Sequence, residues 1–267
     1  MRGSSPNCKV CKKVLSVNEV RACWDQHRKD GSILSGYLCS EHRKAFLKEK
    51  REKKLEGIRE DLDKILTQRN VPLKYREVSL DSFKVVDSST QKALNRARQY
   101  VFDRGEIAEL GSGEGIFMYG PNGTGKTHLA VAIMRSLTLA GELDWYFIKA
   151  PRLLMAIRRA FKEKYAQTEE EFIERFINYK YLVIDELGVE KITDWSLQTL
   201  YLIIDGRSDA LKSTIITSNL SPREVRREIE ARIASRIVGM SSEILEFKCA
   251  DWRLVKRREK IEARGDK

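Results

Sequence analysis

From residue 115 onwards, short runs of apolar residues alternate with longer segments in which apolar residues recur at helical spacing. The short runs predict strands at residues 116–119, 144–148, 181–184, 214–217 and 244–247. The longer segments predict helices at residues 126–140, 151–176, 195–208 and 222–237. Strands that alternate with helices are typical of a doubly wound, mainly parallel sheet with helices on both faces. We therefore expect an α/β fold for this region.

Two further helices are predicted upstream of this region. Residues 42–68 form a lysine- and glutamate-rich segment without proline, in which apolar residues recur at helical spacing. These residues are Leu55, Ile58, Leu62, Ile65 and Leu66. Such a helix is compatible with a solvated spacer and equally with a surface that binds a partner. Pro72 ends it because proline lacks an amide hydrogen, and the next helix is predicted at residues 89–104.

The chain is basic, and its positive charge is concentrated near the amino terminus. The net charge is +11, of which residues 1–70 contribute +7 through 17 Lys and Arg against 10 Asp and Glu. A positive excess favours a polyanionic partner such as nucleic acid, although solubility alone would also account for it. No apolar run approaches the roughly eighteen residues of a membrane span, and no signal-peptide core follows Met1. We expect a cytoplasmic protein without membrane contact.

The segment from Gly120 to Thr127 fits the phosphate-binding pattern G-x-x-x-x-G-K-[ST] and lies between a predicted strand and a predicted helix. Gly123 and Gly125 let the backbone wrap phosphate groups, and the helix N-terminus adds positive partial charge. Lys126 is expected to reach the β- and γ-phosphates, and Thr127 to offer its hydroxyl to Mg²⁺. The nucleotide-binding residues predicted here are Gly120, Pro121, Asn122, Gly123, Thr124, Gly125, Lys126, Thr127 and His128.

Two later strands end in polar residues that could complete an ATPase site. Asp185 and Glu186 follow an apolar strand about sixty residues after the phosphate loop. Asp185 is expected to bind the nucleotide's Mg²⁺, and Glu186 to orient and activate the attacking water. Asn219 ends the next apolar strand, where it is suited to hydrogen-bond the γ-phosphate or the water. An ordinary turn asparagine is the alternative reading.

Arg232 and Arg236 are four residues apart and therefore share one face of a predicted helix. An arginine presented to the γ-phosphate of a neighbouring subunit would stabilise charge in the transition state. Two arginines at this spacing are, by themselves, more often a solvated helix face.

Four of the five cysteines and two of the three histidines precede residue 43. In a reducing compartment such clustering favours a metal site over disulfides. Two pairs with metal-ligand spacing supply the predicted ligands of a structural Zn²⁺, which are Cys8, Cys11, Cys39 and His42. Cys23 or His27 could replace one of them. The remaining cysteine, Cys249, is expected in the core.

In their order along the chain, these motifs resemble those of the AAA+ ATPases, over roughly residues 75 to 255. Within this class the chain is similar to bacterial replicative helicase loaders of the DnaC and DnaI type and to the related transposition ATPase IstB. Three features carry this resemblance: Val71-Pro-Leu-Lys-Tyr with Phe83, the strand YLVIDELG, and Asp251-Trp-Arg253 after the last strand.

The resemblance implies further roles for the polar residues. Asn219 would be sensor 1, and Arg236, in a Ser-Arg-Ile setting, would be the arginine finger that acts on a second copy, with Arg232 as second choice. Only 30 residues follow Ile237, too few for the helical lid of ordinary AAA+ proteins. We therefore expect an AAA+ three-layer core without a full C-terminal lid, and no sensor 2 arginine is assigned.

The resemblance also implies a helical insertion that contacts single-stranded DNA. Basic and aromatic candidates in the corresponding segment are Arg152, Arg158, Arg159, Phe161, Lys162, Lys164 and Tyr165. A solvated helix face explains the basic residues equally well. Near the amino terminus, a hairpin is predicted with strands at residues 20–24 and 36–38, between the two Cys/His pairs. This arrangement resembles a treble-clef zinc finger, a module that DnaI-type loaders use to bind the helicase.

Together these readings predict a zinc-binding module at residues 1–43, a basic amphipathic helix and linker at residues 44–74, and an AAA+ ATPase domain at residues 75–267. The predicted function is an ATP-dependent loader of the hexameric replicative helicase in bacterial or phage DNA replication, which contacts single-stranded DNA. An IstB-like transposition regulator that binds duplex DNA is the alternative. A non-catalytic nucleotide-gated scaffold is disfavoured because Lys126, Asp185 and Glu186 are all present.

Overall fold

The structure, a computed structural model, describes residues 8, 9, 11, 16, 18, 19, 40–106, 113–162, 168–188, 193–255 and 257. The chain divides into two compact units, Met1–Glu60 and Asp61–Lys267. In the first unit, helix α1 occupies Ser40–Glu60. The sheet and the phosphate loop belong to the second unit.

The second unit alternates strands and helices from residue 115 onwards, as the hydrophobic pattern predicts. Its strands are β1 (Gly115–Tyr119), β2 (Trp145–Lys149), β3 (Tyr181–Leu187), β4 (Ser213–Ser218) and β5 (Ser241–Glu246). Its helices are α2 (Leu62–Gln68), α3 (Ser88–Glu106), α4 (Lys126–Leu139), α5 (Ala150–Lys162), α6 (Glu169–Asn178), α7 (Asp194–Asp209), α8 (Pro222–Glu224) and α9 (Ala231–Gly239). A 3₁₀ turn spans Leu73–Tyr75 and a π-helical turn spans Val225–Ile229. None of the described helices combines the length and apolar character needed to cross a membrane.

The five strands form one parallel sheet in the order β2-β3-β4-β1-β5. Successive strand residues point to opposite faces, and each face is covered by its own hydrophobic cluster. Residues of α3 and α4 pack on one face, and residues of α5, α6, α7 and α9 pack on the other. The prediction of a doubly wound parallel α/β fold is therefore confirmed. The carboxyl ends of β3, β4 and β1 meet at one edge, beside the point where the strand order reverses, which is where such folds bind ligands.

Three long predicted helices are divided in the structure. The helix predicted at residues 42–68 is interrupted at Asp61, between α1 and α2. The helix predicted at residues 151–176 becomes α5 and α6, and a capping box formed by Thr168 and Glu171 begins the second. The helix predicted at residues 222–237 is broken at Glu230, whose extended backbone (φ −163°, ψ 144°) separates the π-helical turn from α9. Among the described residues, periodicity predicted helix on both sides of each interruption but not the interruption itself.

The segment before the 3₁₀ turn is part of the second unit's core. Leu66 is 1% exposed and Val71 is 2% exposed, and both belong to the cluster on the α4 side of the sheet. The amide of Phe147 in β2 donates to the carbonyl of Arg69 at 3.0 Å, and Asn70 Nδ2 donates to the carbonyl of Phe147 at 2.9 Å. These bonds satisfy backbone groups of an edge strand that would otherwise be open to pairing with other chains.

Candidate functional site

The phosphate loop joins the end of β1 to the start of α4, and its path depends on glycine. The φ angles of Gly120, Gly123 and Gly125 are 135°, 74° and 100°. These values lie in the region that only glycine enters readily. A Cβ atom at Gly123 would also collide with the carboxylate of Asp251, and one at Gly120 would collide with the carbonyl of Phe247. A glycine-dependent turn at a helix N-terminus is suited to binding phosphate.

Lys126 lies inside this loop and is only 7% exposed. Its Nζ atom donates to the carbonyl oxygens of Gly120 and Pro121, both at 2.7 Å, and to Oδ1 of Asn219 at 3.2 Å. Burial lowers the pKa of Lys126 to about 8, although the nearby Asp185 carboxylate opposes the shift. The ammonium group is thus desolvated without a directly bonded anion in the described structure, and an anionic phosphate would stabilise its charged form.

Asp185 lies at the end of β3 and is fully buried. Thr127 Oγ1 donates to its Oδ1 atom at 2.7 Å, and Thr217 Oγ1 donates to the same atom at 2.6 Å. Burial raises the pKa of Asp185, and these two hydrogen bonds counteract the shift. Oδ2, also buried, accepts no hydrogen bond from the described residues. A carboxylate oxygen left without a partner beside a threonine hydroxyl fits the oxygen ligands that Mg²⁺ prefers.

Glu186 follows in an unusual backbone conformation, with φ at 60°. The pairing of β3 with β4 shifts register between Ile184 and Leu187, so that Glu186 lies in a bulge. Its amide donates to Thr217 Oγ1 at 3.0 Å, and its Oε2 atom accepts from Lys149 Nζ at 2.7 Å. The bulge turns the Glu186 side chain away from the buried position of Asp185, and 42% of it is exposed.

One cavity of about 420 Å³ connects most of these groups. A volume of this size is in the range of small-molecule sites. Residues of the phosphate loop, Glu186 and the end of β4 line it, together with residues whose role the sequence did not predict. The latter are Lys74, Tyr75, Trp252 and Arg253, and the residues from the end of β4 are Thr217 and Ser218. A smaller cavity of about 160 Å³ lies against the same loop, where His128, Trp252 and Cys249 are among its lining residues.

Arg232 and Arg236 both lie on α9, and neither is among the described residues that line the larger cavity. Arg236 Nε is 2.5 Å from Asp205 Oδ1, and 43% of the arginine side chain is exposed. Arg232 is more exposed, at 71%, and its guanidinium lies over the ring of Tyr201. An arginine finger at either position would therefore have to act on another copy of the chain.

The basic residues of α5 are partly described. Arg152, Arg158 and Arg159 are exposed, and the guanidinium of Arg158 lies over the ring of Trp195 at 4.7 Å. The side chains of Phe161 and Lys162, together with residues 164 and 165, lie outside the described part of the structure. The exposed arginines form a positive helix face. Such a face is compatible with contact to single-stranded DNA and equally with a solvated surface.

Three of the four predicted zinc ligands are described, and they lie together in the first unit. The candidate ligand atoms of Cys8, Cys11 and His42 are all within 4.8 Å of one another, and Cys8 Sγ is 3.8 Å from His42 Nδ1. Two thiolates and an imidazole are a donor set that suits Zn²⁺. The fourth predicted ligand, Cys39, and the alternatives Cys23 and His27 lie outside the described residues.

A phosphate loop after β1, an Asp-Glu pair at the end of β3 and a polar end of β4, on a parallel sheet of this strand order, define the AAA+ class of P-loop ATPases. The chain belongs to the family of IstB-like ATP binding proteins, whose family model matches residues 63–259. The resemblance to AAA+ ATPases of the IstB type is therefore confirmed.

Two relatives and one solved structure are similar over the ATPase region. The replicative helicase loader DnaC of Escherichia coli (strain K12) is 31% identical over 165 residues, which are 61% of this chain and 64% of DnaC. The insertion sequence IS232 putative ATP-binding protein of Bacillus thuringiensis subsp. berliner is 33% identical over 136 residues, or 51% of each chain. A crystal structure of the DnaC helicase loader superposes with a TM-score of 0.58 and 28% identity, covering 66% of this chain and 100% of that one.

Proposed function

We propose that the chain is an ATP-dependent loader of a replicative DNA helicase, in bacterial or phage DNA replication. Lys126, Thr127, Glu186 and Asn219 line one cavity, and Asp185 accepts a hydrogen bond from Thr127 beside it; this is the observation that supports ATP hydrolysis. The similarity to DnaC, a replicative helicase loader, supports the loading function. The matched region spans 64% of the length of DnaC. The helicase and the DNA are therefore proposed as partners of this chain.

In this proposal each polar residue has one task in the hydrolysis of ATP. Lys126 binds the β- and γ-phosphate oxygens, and Glu186 takes the proton of the water that attacks the γ-phosphorus, whose bond to the bridging oxygen breaks so that ADP leaves. Asn219 holds the γ-phosphate or the water in line. Mg²⁺, when held by the Thr127 hydroxyl and the Asp185 carboxylate, neutralises charge on the phosphates.

Completion of the site requires a second copy of the chain. Arg236 is the first candidate for the arginine finger, because the resemblance favours its Ser-Arg-Ile setting, and Arg232 is the second. Both lie on α9, and neither is among the described residues that line the cavity of its own chain. An arginine that reaches a neighbour's γ-phosphate makes hydrolysis depend on assembly. ATP binding and self-association would in this way be coupled.

The amino-terminal unit would dock on the hexameric helicase, and α5 would contact single-stranded DNA. A structural zinc site in this unit is supported by the short distances between Cys8, Cys11 and His42. The exposed Arg152, Arg158 and Arg159 offer charge for DNA phosphates.

Binding to the cognate hexameric helicase tests the loading function directly. In a pull-down with Mg·ATP, the full chain should bind the helicase, and the double variant Cys8→Ser, Cys11→Ser should lose binding. Cys249→Ser, which changes a cysteine of the other unit, is the matched control; its ATP binding is measured in parallel because Cys249 contacts Thr124 of the phosphate loop, and it should bind the helicase normally. Binding of the double variant at full strength would contradict the docking role of the first unit.

The catalytic roles are tested separately, by two variants of the cavity. Lys126→Ala should lose ATP binding because it removes the buried ammonium group. Glu186→Gln should bind ATP and fail to hydrolyse it. If Glu186→Gln hydrolysed ATP at the wild-type rate, another residue would have to activate the water.

An IstB-like transposition regulator remains the second candidate, because the IS232 relative is 33% identical. DNA binding discriminates between the two functions. A loader should prefer single-stranded DNA and retain the helicase, whereas a regulator of transposition should assemble on duplex DNA in ATP without the helicase.

A further inference from the structure

Thr217, near the end of β4, contacts both carboxylate residues of the candidate ATPase site. It is 1% exposed, so its hydroxyl must find its partners within the protein. That hydroxyl donates to Asp185 Oδ1 at 2.6 Å and accepts from the amide of Glu186 at 3.0 Å. A single side chain on the neighbouring strand thus bonds to two consecutive residues at the end of β3.

The direction of these two bonds is fixed by the chemistry of their partners. The Glu186 amide can only donate, and the hydroxyl has one hydrogen, which it gives to the carboxylate. Thr127 also donates to Oδ1 of Asp185, so that both hydroxyls bind the same carboxylate oxygen. Oδ2 remains without a partner among the described residues. The carboxylate is therefore held by one oxygen, and its other oxygen is available to a ligand such as Mg²⁺.

The bond to Glu186 acts on a backbone that a glutamate rarely adopts. The φ angle of 60° lies in the left-handed region, which a non-glycine residue keeps only where its surroundings hold it. The Glu186 amide lies within the bulge between β3 and β4, and Thr217 is its partner there. Loss of this bond would let the bulge relax and change the direction of the Glu186 side chain.

We propose that Thr217 is a positioning residue for ATP hydrolysis, whose hydroxyl holds the Asp185 carboxylate and the Glu186 backbone in the arrangement that the reaction needs. This inference rests on the proposed roles of Asp185 and Glu186. Thr217 acts through those residues and does not itself react.

Thr217→Val and Thr217→Ser separate the hydroxyl from the shape of the side chain. Valine keeps the β-branched shape and removes both hydrogen bonds, whereas serine keeps the hydroxyl. Thr217→Val should lower kcat by about tenfold or more, while its affinity for ATP in the absence of Mg²⁺ changes by less than about threefold, because positioning is lost and the contacts of the phosphate loop are kept. Thr217→Ser should retain kcat within about threefold of the wild type. Should valine prevent folding, Thr217→Ala against Thr217→Ser gives the same comparison.

Binding of a non-hydrolysable ATP analogue, with EDTA or with Mg²⁺, provides a measurement that is independent of catalysis. Thr217→Val should bind the analogue in EDTA like the wild type and lose most of the gain in affinity that Mg²⁺ provides. The matched control is Thr138→Val, which removes a buried hydroxyl that accepts from Trp145 and donates to the carbonyl of Met134. It should change stability and leave the Mg²⁺ gain intact.

Wild-type kcat and an intact Mg²⁺ gain in Thr217→Val would overturn the inference. So would equal losses in Thr217→Ser, or in Thr138→Val, since then the hydroxyl of Thr217 would not be the cause. Glu186→Gln distinguishes failure of the underlying proposal: if it hydrolysed ATP normally, the role of Glu186 would be wrong. The increase in affinity for the analogue on adding Mg²⁺ would still test whether the hydrogen bond from Thr217 positions the Asp185 carboxylate.

Discussion

At the scale of single residues, the buried charge of Lys126 should make nucleotide binding depend on pH. The pKa of about 8 means that the free protein loses this charge as the pH rises through that value. A bound triphosphate favours the charged form and raises the pKa, so affinity should be constant well below pH 8 and fall above it. The fall should reach at most about tenfold per pH unit, measured with a fluorescent ATP analogue.

Lys126→Arg is the control for this dependence. A guanidinium keeps its charge at every pH at which proteins are folded, so binding to this variant, even if weaker, should lose the decline above pH 8. The same decline in the arginine variant would show that a different group titrates.

The ion pair between Lys149 and Glu186 should slow ATP hydrolysis, because it competes with the attacking water for the Glu186 carboxylate. The two charged groups are 2.7 Å apart, so the paired oxygen of the Glu186 carboxylate must leave Lys149 before it can bind the attacking water. Because 42% of the Glu186 side chain is exposed, solvent screens the pair, and its worth is at most about 1 kcal/mol. Lys149→Met, which keeps the length of the side chain, should therefore raise kcat by up to about fivefold in a steady-state ATPase assay. A fall in kcat would instead show that Lys149 assists the reaction.

Residues of the candidate site differ in how far the sequence predicts them. Lys126 and Thr127 stand in one contiguous motif, and Asp185 and Glu186 stand together at the end of an apolar strand, so pattern alone finds them. Thr217 and Lys149 reach Glu186 only across the sheet, from β4 and β2. Such contacts depend on strand order and register, which a single sequence does not supply.

At the scale of secondary-structure elements, helix α2 should contribute to the stability of the second unit. Leu66 is 1% exposed and packs in the core, whereas Leu73, seven residues later, is 76% exposed. Leu66→Ala should lower the free energy of unfolding by about 2–5 kcal/mol, since it removes buried methyl groups and leaves a cavity. Leu73→Ala, the same substitution at an exposed position, should change it by no more than about 0.5 kcal/mol. Chemical denaturation measures both, and equal effects would contradict the packing of α2.

Elements were predicted well in type and poorly in extent, for reasons visible at particular residues. Thr168 begins α6 through its capping box, and Glu230 interrupts the chain before α9 in an extended conformation. The apolar period continues through the second place, because Ile229 before Glu230 and Ile233 after it are both buried. Periodicity reports burial, and burial does not require one uninterrupted helix.

At the scale of the whole molecule, hydrolysis should depend on assembly through Arg236. In the single chain this arginine pairs with Asp205, so it must exchange that partner for a phosphate of a neighbouring copy. Arg236→Ala should bind ATP like the wild type and lose the increase in specific ATPase activity with protein concentration. Arg232→Ala, which removes the more exposed arginine of the same helix, is the matched comparison. Retained concentration dependence in Arg236→Ala together with its loss in Arg232→Ala would move the finger to Arg232.

The amino-terminal unit should hold zinc independently of the ATPase site. Thiolates and imidazole from Cys8, Cys11 and His42 are close enough to share one ion, and a structural zinc site adds its binding energy to folding. Metal analysis of the freshly purified full chain should find about one equivalent of Zn²⁺. The double variant Cys8→Ser, Cys11→Ser should contain almost none, while Cys249→Ser should match the wild type. If the wild type held less than about half an equivalent, or the double variant kept its zinc, the metal site would be wrong. ATP binding by the zinc-free double variant should be unchanged, because the phosphate loop belongs to the other unit.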